Sequence, residues 1–454
     1  MSTDLSSSSP STPAKRVPPP KRAPLPPRLY PFLFGLALVA GFAELGYAIV
    51  NMSVLPIYLK AGLGLPVLVG LAITAFAGSE AIFNSPMGSL ADRIGRRRLM
   101  VGGASISVFT SLVATLIRVT MHKHNVVELS SEILCLRVLD GLGAAALWPA
   151  VFAAIGDRVD HEHQSSAMGV LNITYMLGIA FGPLIGGYVN QRYGMRFEAH
   201  NPLRYGPSFY AAAGCFAIAA IVAIFVAPGG QELKESLAKM REAAGQPAEN
   251  PHTAPFSFKA VSSALKRIPA LMALVFVTFF AIGLIAPEVK LFAMERYGLN
   301  ELQFGKLFPI PALIVAALAI PMGRLGDIWG KRRAIQVGMT ICAVSLWFVL
   351  VLKHEISIVI LGSILGIGFV LAFPAYMALL SELTGPEERG GIIGAVRMAQ
   401  GFGLMMGAPL SSLLYENVGH AVPFLGAAAM LTCAAILSYL FIREHMKIEP
   451  TLSL

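Results

Sequence analysis

Twelve mostly apolar stretches, each roughly the 20 residues that cross a bilayer, dominate the chain: 32–58, 66–87, 99–119, 131–154, 165–189, 207–227, 269–292, 303–323, 334–352, 357–381, 391–415 and 420–442. Segments of that length and character read as an all-α integral membrane protein with twelve transmembrane helices. Composition agrees. Charged residues make up 13% of the chain, against about 25% in soluble domains, and the mean hydropathy is +0.67.

Between the spans the chain is sparsely polar. Residues 1–30 are Ser/Pro-rich and basic with no apolar core, so a disordered tail is expected. The first apolar run is too long for a cleaved signal, and no small-residue cleavage site follows it. The formal net charge of +9 raises the question of nucleic acid. Lys and Arg, however, collect in the cytoplasmic loops of membrane proteins. Placing both termini inside puts most of the 35 basic residues on that side. A multi-pass cell-membrane protein with cytoplasmic termini and no nucleic-acid partner is therefore expected. Cys135, Cys215, Cys342 and Cys433 lie within apolar spans, where buried free thiols are expected rather than a disulfide framework. His161-Glu162-His163 has the look of a metal pair but no Cys or third His near it. It reads as a solvated turn, and neither a metal nor a cofactor is expected.

The stretch GSLADRIGRRR, Gly88 to Arg98, recurs as GRLGDIWGKRR, Gly323 to Arg333. Gly88, Asp92 and Gly95 align with Gly323, Asp327 and Gly330 at an offset of 235. Further on the offset is 225: Gly141-Leu-Gly143 meets Gly366-Ile-Gly368, Trp148-Pro149 meets Phe373-Pro374, and Gly169, Gly178 and Gly182 meet Gly394, Gly403 and Gly407. Two copies of a six-helix unit follow, pseudo-symmetric and the same way up. The expected domains are an N-terminal bundle (31–227), a polar cytoplasmic linker (228–268), a C-terminal bundle (269–442) and a cytoplasmic tail (443–454). Parallel duplication suits a carrier that rocks two halves about a central site.

The spacing Gly-x3-Asp-x2-Gly, present twice, exceeds what a generic positive-inside loop requires. Glycine permits the tight turn, Asp92 can meet a helix N-terminus or a neighbouring Arg, and Arg93, Arg96, Arg97 and Arg98 anchor the loop at the membrane surface. The expectation is a repeated latch built from Gly88, Asp92, Arg93, Gly95 and Arg96, and from Gly323, Asp327, Gly330 and Arg332. At these residues the chain resembles the major facilitator superfamily, whose loop signature Gly88 to Arg97 matches fully. The second copy departs from it at Ile328 and Trp329. The resemblance implies the twelve-helix fold of two bundles, and a role for Asp92 and Arg96 in holding an outward-open state.

In the fourth span, Arg137-Val-Leu-Asp140-Gly141-Leu-Gly143 places an arginine where charge is costly, so it should face a cavity or an acid. Asp140 at i+3 shares its face. The resemblance implies proton coupling here; the alternative is a pair that merely orders the bundle. Gly362 stands at the repeat position of Arg137. The fifth span carries Gly169-x8-Gly178-x3-Gly182-Pro183-x2-Gly186-Gly187. Small residues let helices approach and Gly-Pro bends them. The complete spacing resembles the antiporter motif of drug/proton exchangers within the superfamily, and the repeat lacks it.

Glu44 lies about 18 Å along the first span at 1.5 Å per residue, close to the midplane. Tyr47 and Asn51 share its face. An ionised acid is expensive there, which suits a group that takes a proton on one side and gives it up on the other. Arg137 or a cationic substrate is expected nearby. Glu44, Arg137 and Asp140 are thus the expected proton-coupling residues. Glu80 reads either as solvated or as support for the latch. Glu288 and Lys290 are expected to snorkel to the interface from the outer end of the seventh span. Arg397, about 9 Å into the eleventh span, either binds an anionic group or reaches a latch carboxylate. Tyr47, Asn51, Trp148, Asn172, Tyr175, Phe373, Tyr376, Arg397 and Gln400 are expected to line the substrate cavity.

A proton-coupled antiporter exporting small amphipathic or hydrophobic compounds is the function expected, with a proton-coupled symporter for a nutrient or lipid-like molecule as the alternative. An enzyme would need a metal cluster or nucleophile–base pair at membrane depth, and a receptor or scramblase has no need of a latch that cycles. The expected partners are a small-molecule substrate, protons and the lipid bilayer, and the chain is expected to work as a monomer.

Overall fold

The computed structural model describes residues 26–120, 126–159, 161–198, 201–227, 269–352, 354–382 and 389–442. The expected linker and C-terminal tail, and most of the N-terminal tail, lie outside them. The first half holds α1 (Tyr30–Ala48), α2 (Leu68–Ile94), α3 (Arg96–Thr120), α4 (Val126–Arg158), α5 (His161–Tyr193) and α6 (Gly206–Val226). The second holds α7 (Pro269–Ile285), α8 (Val289–Tyr297), α9 (Glu301–Leu307), α10 (Pro309–Trp329), α11 (Lys331–Val351), α12 (Ile356–Glu382), α13 (Arg389–Asn417) and α14 (Val422–Phe441).

Among the described residues ten helices are long and apolar enough to cross a membrane, or eleven when α7 and α8 count as one bent span. Helix α13 has 29 residues, about 43 Å at 1.5 Å per residue. Its apolar character is diluted by Arg397, Gln400, Ser411 and Ser412. The count is consistent with twelve spans. The seventh differs from the uninterrupted 269–292 expected: α7 and α8 meet at 50°. Pro287 lies in the break, where its missing N–H and its ring interrupt the helical ladder. The first span also departs from a plain helix. Past Ala48 it continues through π-helical turns at Ile49–Val54 and Tyr58–Gly62.

The duplication seen in the residues is a duplication of packing. Helix α1 packs on α5 and α6 as α7 packs on α13 and α14; α4 packs on α2 and α3 as α12 packs on α10 and α11. Pro86, Pro149 and Pro183 lie inside α2, α4 and α5, and Pro321, Pro374 and Pro409 lie inside their counterparts α10, α12 and α13. The crossing of α3 and α4 is a glycine contact, a Cβ at Gly103 falling 2.4 Å from the Gly143 carbonyl oxygen. At the crossing of α11 and α12 a Cβ at Gly338 falls 2.5 Å from the Gly368 oxygen. The two Gly-rich turns match as well: Gly95 has φ 98° and Gly330 φ 85°, which Cβ-bearing residues avoid.

Arg158 lies over the Phe32 ring at 5.0 Å and Arg97 Nε donates to the Ala227 carbonyl at 2.8 Å. The start of α1, the Gly95 turn, and the ends of α4 and α6 therefore share one end of the molecule, called here the basic end. The halves meet through α2 with α13 and through α5 with α9 and α10. Their hydrogen bonds fall toward the opposite, far end: Thr74 Oγ1 donates to the Met405 carbonyl at 3.1 Å and Gly70 N–H to Ser412 Oγ at 2.9 Å. The buried core of the first half extends at that end onto Leu291, Phe292, Tyr415 and Phe424 of the second. Nearer the basic end Ile82, Phe83 and Asn84 on α2 and Asn172, Ile173 and Met176 on α5 are exposed.

Cys135 and Cys433 are exposed, Cys215 is half-buried and Cys342 is buried, all as free thiols. Expected burial thus fails for two of the four. A helix apolar on every side carries no signal of which face meets lipid.

Candidate functional site in the membrane interior

Helices α1, α2, α3 and α4 enclose a polar cluster in the first half. Arg137 on α4 is 5% exposed and Asp140, one turn on, 2%. Arg137 Nη1 donates to Asp140 Oδ2 at 2.5 Å, and Nη2 donates to Asn51 Oδ1 at 2.5 Å. Thr110 Oγ1 on α3 donates to Asp140 Oδ1 at 3.2 Å. The guanidinium also lies 4.6 Å from the Phe76 ring centroid, a cation–π contact. Asn51 is carried by the π-helical stretch after α1, where such bulges re-aim side chains at functional sites. Tyr47, one turn earlier, shares a hydrogen bond of 2.9 Å with Ser107 and packs on Phe76 and Phe216.

Glu44 is 8% exposed, so it does not face lipid. Its neighbour is α5: a Cβ at Gly178 would lie 2.8 Å from Glu44 Cβ. Arg137, expected as its cation, is committed to Asp140 and Asn51, and Glu44 makes no ion pair among the described residues. Glu80 on α2, read from sequence as solvated or latch-supporting, lies within electrostatic reach of both Glu44 and Asp140. Glu80 thus links Glu44 and Asp140 into one group of three carboxyls, of which Asp140 alone is paired with the guanidinium. That deficit of positive charge can be met by a proton or by a cationic group on a cargo.

A cavity of about 30 Å³ lies beside the cluster, lined by Thr110, Ser111, Arg137 and Asp140 on its polar side. Such a volume admits a water molecule, and Arg137, which lines it, has its Nε buried without a protein partner. The second half has a cavity of about 40 Å³ lined by Thr278, Met339, Cys342, Leu365 and Phe369. Leu365 stands at the repeat position of Asp140, as Gly362 stands at that of Arg137. The Arg137–Asp140 pair thus has no charged counterpart at its repeat positions in the second half.

The antiporter-motif glycines do not act alike. Gly182 seats Ala48, with a Cβ falling 2.4 Å from Ala48 Cβ; Gly186 seats Ser53; Gly187 faces the Glu301 backbone across the halves. The Pro183 carbonyl oxygen sits against Gly305. Gly169 is exposed with no atom within 4 Å of a Cβ built there, so close approach does not explain it.

At the basic end Asp92 pairs with Arg96 Nη2 at 2.5 Å, and Arg96 Nε donates to Asp157 Oδ2 on α4 at 3.0 Å. The latch residues join helices of one half, with Gly95 making the turn, Gly88 facing Pro149, where an added Cβ would fall 3.7 Å from the proline Cβ, and Arg93 exposed. In the second half Gly323 is half-buried, Gly330 makes the turn and Arg332 is half-buried. The side chains of Asp327 and Arg397 lie outside the described residues.

Of the expected cavity residues, Trp148 packs edge-on against Tyr175 at 5.3 Å and Asn172 is exposed. Phe373 stacks on Phe369 at 5.3 Å. Tyr376 is 2% exposed and donates to the Leu271 carbonyl at 3.3 Å, which makes it a packing residue of the second half. Gln400 is buried with Nε2 unpartnered. Glu288 and Lys290 do not snorkel: they are 2% and 1% exposed, because the bend at Pro287 turns α8 inward. The sequence placed them at the interface because it read the seventh span as uninterrupted, and the Ala286-Pro287 pair inside an apolar run was the signal of the bend.

Two like halves, the first holding a charged centre, in helices able to cross a membrane, are the architecture of a membrane carrier. The Major Facilitator Superfamily model matches residues 36–320 and 271–452, and the chain belongs to that family. It is 26% identical over 367 residues to multidrug resistance protein 2 of Bacillus subtilis, covering 80% of this chain and 83% of that protein. It is 24% identical over 408 residues to a multi-drug resistance efflux pump PmrA homolog of Lactococcus lactis, covering 87% and 91%. Its fold is that of a bacterial homolog of the human lysosomal transporter Spinster, solved inward-facing and unoccupied: TM-score 0.70, 13% identity, 92% and 97% coverage.

Proposed function

We propose that this protein is a secondary active transporter that expels small amphipathic or hydrophobic compounds in exchange for protons, by alternating access. The observation that carries this reading is the surplus of carboxyl groups, the buried Glu44 and Asp140 and the half-buried Glu80 between them, in the cluster that holds the single guanidinium of Arg137. Glu44 exchanges its proton for cargo, while the Arg137–Asp140–Asn51 unit fixes the field in which it does so. The relatives named as multidrug resistance proteins support an export direction and a broad cargo range. With the basic end in the cytoplasm, as the distribution of Lys and Arg favours, contact between the halves at the far end corresponds to a state sealed outside and open inside. In that state cargo enters from the cytoplasm or inner leaflet and displaces the proton from Glu44. The halves then rock, cargo leaves, and an outside proton resets the carboxyl group.

The test is efflux of a panel of cationic and neutral dyes from vesicles under an imposed pH gradient, with proton movement followed at the same time. Dye and proton fluxes in opposite directions support exchange. Parallel fluxes overturn it in favour of symport, and dye movement without proton movement overturns coupling.

A further inference from the structure

Lys290 is 1% exposed, yet the exchange chemistry above does not use it. It follows the bend between α7 and α8. Its ammonium donates across the halves to the Ser53 carbonyl oxygen and lies 3.5 Å from Glu301 Oε2 of its own half. Glu301 in turn accepts from Asn190 Nδ2 on α5, at 2.9 and 3.0 Å to its two oxygens. Each half therefore grips the other: an ammonium of the second holds a carbonyl of the first, and an amide of the first holds a carboxylate of the second. The seat leaves no room for a side chain at its glycines. Side chains at Gly186, Gly187 and Gly305 would fall 2.3 Å from Ser53 Oγ, 2.6 Å from the Glu301 oxygen and 2.6 Å from the Pro183 oxygen. Outside this seat, Lys60 pairs with Glu295 at 2.9 Å and Glu416 at 3.1 Å, with side chains 24–36% exposed, where water and salt weaken such pairs.

We propose that Lys290 is a positioning residue which, with Glu301 and Asn190, forms a clasp that sets how readily the far end opens, and through that the turnover of the carrier. Only the effect on turnover rests on the transport reading. When the halves part, Lys290 and Glu301 leave together, while the Ser53 carbonyl and the Asn190 amide are taken up by water. Deleting the ammonium alone leaves the half-buried Glu301 carboxylate, its side chain 12% exposed, without its cation in the closed seat, and opening relieves it. Deleting both charges leaves a neutral contact that closes again, since a neutral pair lacks the cost of an uncompensated buried ion.

Backbone hydrogen exchange of the full chain in lipid nanodiscs, read by mass spectrometry, tests this without any cargo. The reporters are the start of α2, where Gly70 N–H bonds Ser412 across the halves, and residues 183–190. Lys290→Met should speed exchange at both by about tenfold, the effect of losing one charged hydrogen bond, with the Gly103–Gly143 crossing unchanged. Lys290→Arg should stay near wild type, and Lys290→Met with Glu301→Gln should return toward it. Asn190→Ala should raise exchange by a smaller factor, and it decides the matter if Lys290→Met does not fold. In dye efflux, Lys290→Met should change turnover while the half-saturating dye concentration holds. Because exchange is read without cargo, absence of dye transport would count against the proposed function and leave the clasp standing. Wild-type exchange in both single variants, or a double variant as fast as Lys290→Met alone, overturns the clasp.

Discussion

Gly178 of α5 lies directly against Glu44 of α1: a Cβ at position 178 would stand 2.8 Å from the glutamate Cβ and 2.9 Å from the Leu45 nitrogen. One turn on, Gly182 meets Ala48 in the same way. The acid proposed to carry the proton is thus held by the motif that marks the fifth span. In the second half Gly403 and Gly407 seat α7 at Phe276 to Gly283, without an acid at the crossing.

Gly178→Ala and Gly182→Ala should each force α1 and α5 apart, at about 1–3 kcal/mol for overpacking, with slower efflux. Gly169→Ala, open to its surroundings inside α5, should be neutral or stabilising by up to about 1 kcal/mol, the gain of alanine over glycine in a helix. Thermal unfolding in detergent measures all three. Equal losses at Gly169 and Gly182 would contradict the packing account.

Arg137→Met should be among the most damaging single changes, because it leaves Asp140 buried without its cation, at about 3–5 kcal/mol. Adding Asp140→Leu, the residue found at the repeat position 365, should recover most of that stability without recovering transport. Thermal unfolding paired with dye efflux checks both halves of the expectation. Recovery of transport in the double variant would assign the pair a purely structural role.

Asp92→Asn should lower turnover several-fold more than it weakens dye binding, because the Asp92–Arg96–Asp157 chain ties the Gly95 turn to α4 at the end that must close. Binding by fluorescence quenching and turnover in vesicles separate the two effects. Unchanged turnover would remove the latch.

Much of this arrangement was legible in the residues, for local reasons. The turns at Gly95 and Gly330 are written in glycine and charge a few positions apart, and the crossing glycines recur at fixed offsets. Arg137 and Asp140 fall on one helical face by spacing alone. The bend that buries Lys290 was less legible, since one proline at the edge of an apolar run marks a span end as readily as a break. So was Glu80, whose neighbours Glu44 and Asp140 come from other helices. The exposure of Cys135 and Cys433 depends on which face of a uniformly apolar helix meets lipid, which no periodicity reports.

The central claim, that Glu44 exchanges a proton for cargo, is tested most directly by Glu44→Gln in vesicles under an imposed pH gradient, with dye and protons followed together. The variant should remain folded and bind dye. Gradient-driven efflux and dye-stimulated proton movement should both be abolished. Wild-type rates of coupled movement in that variant would show that the proton is carried elsewhere.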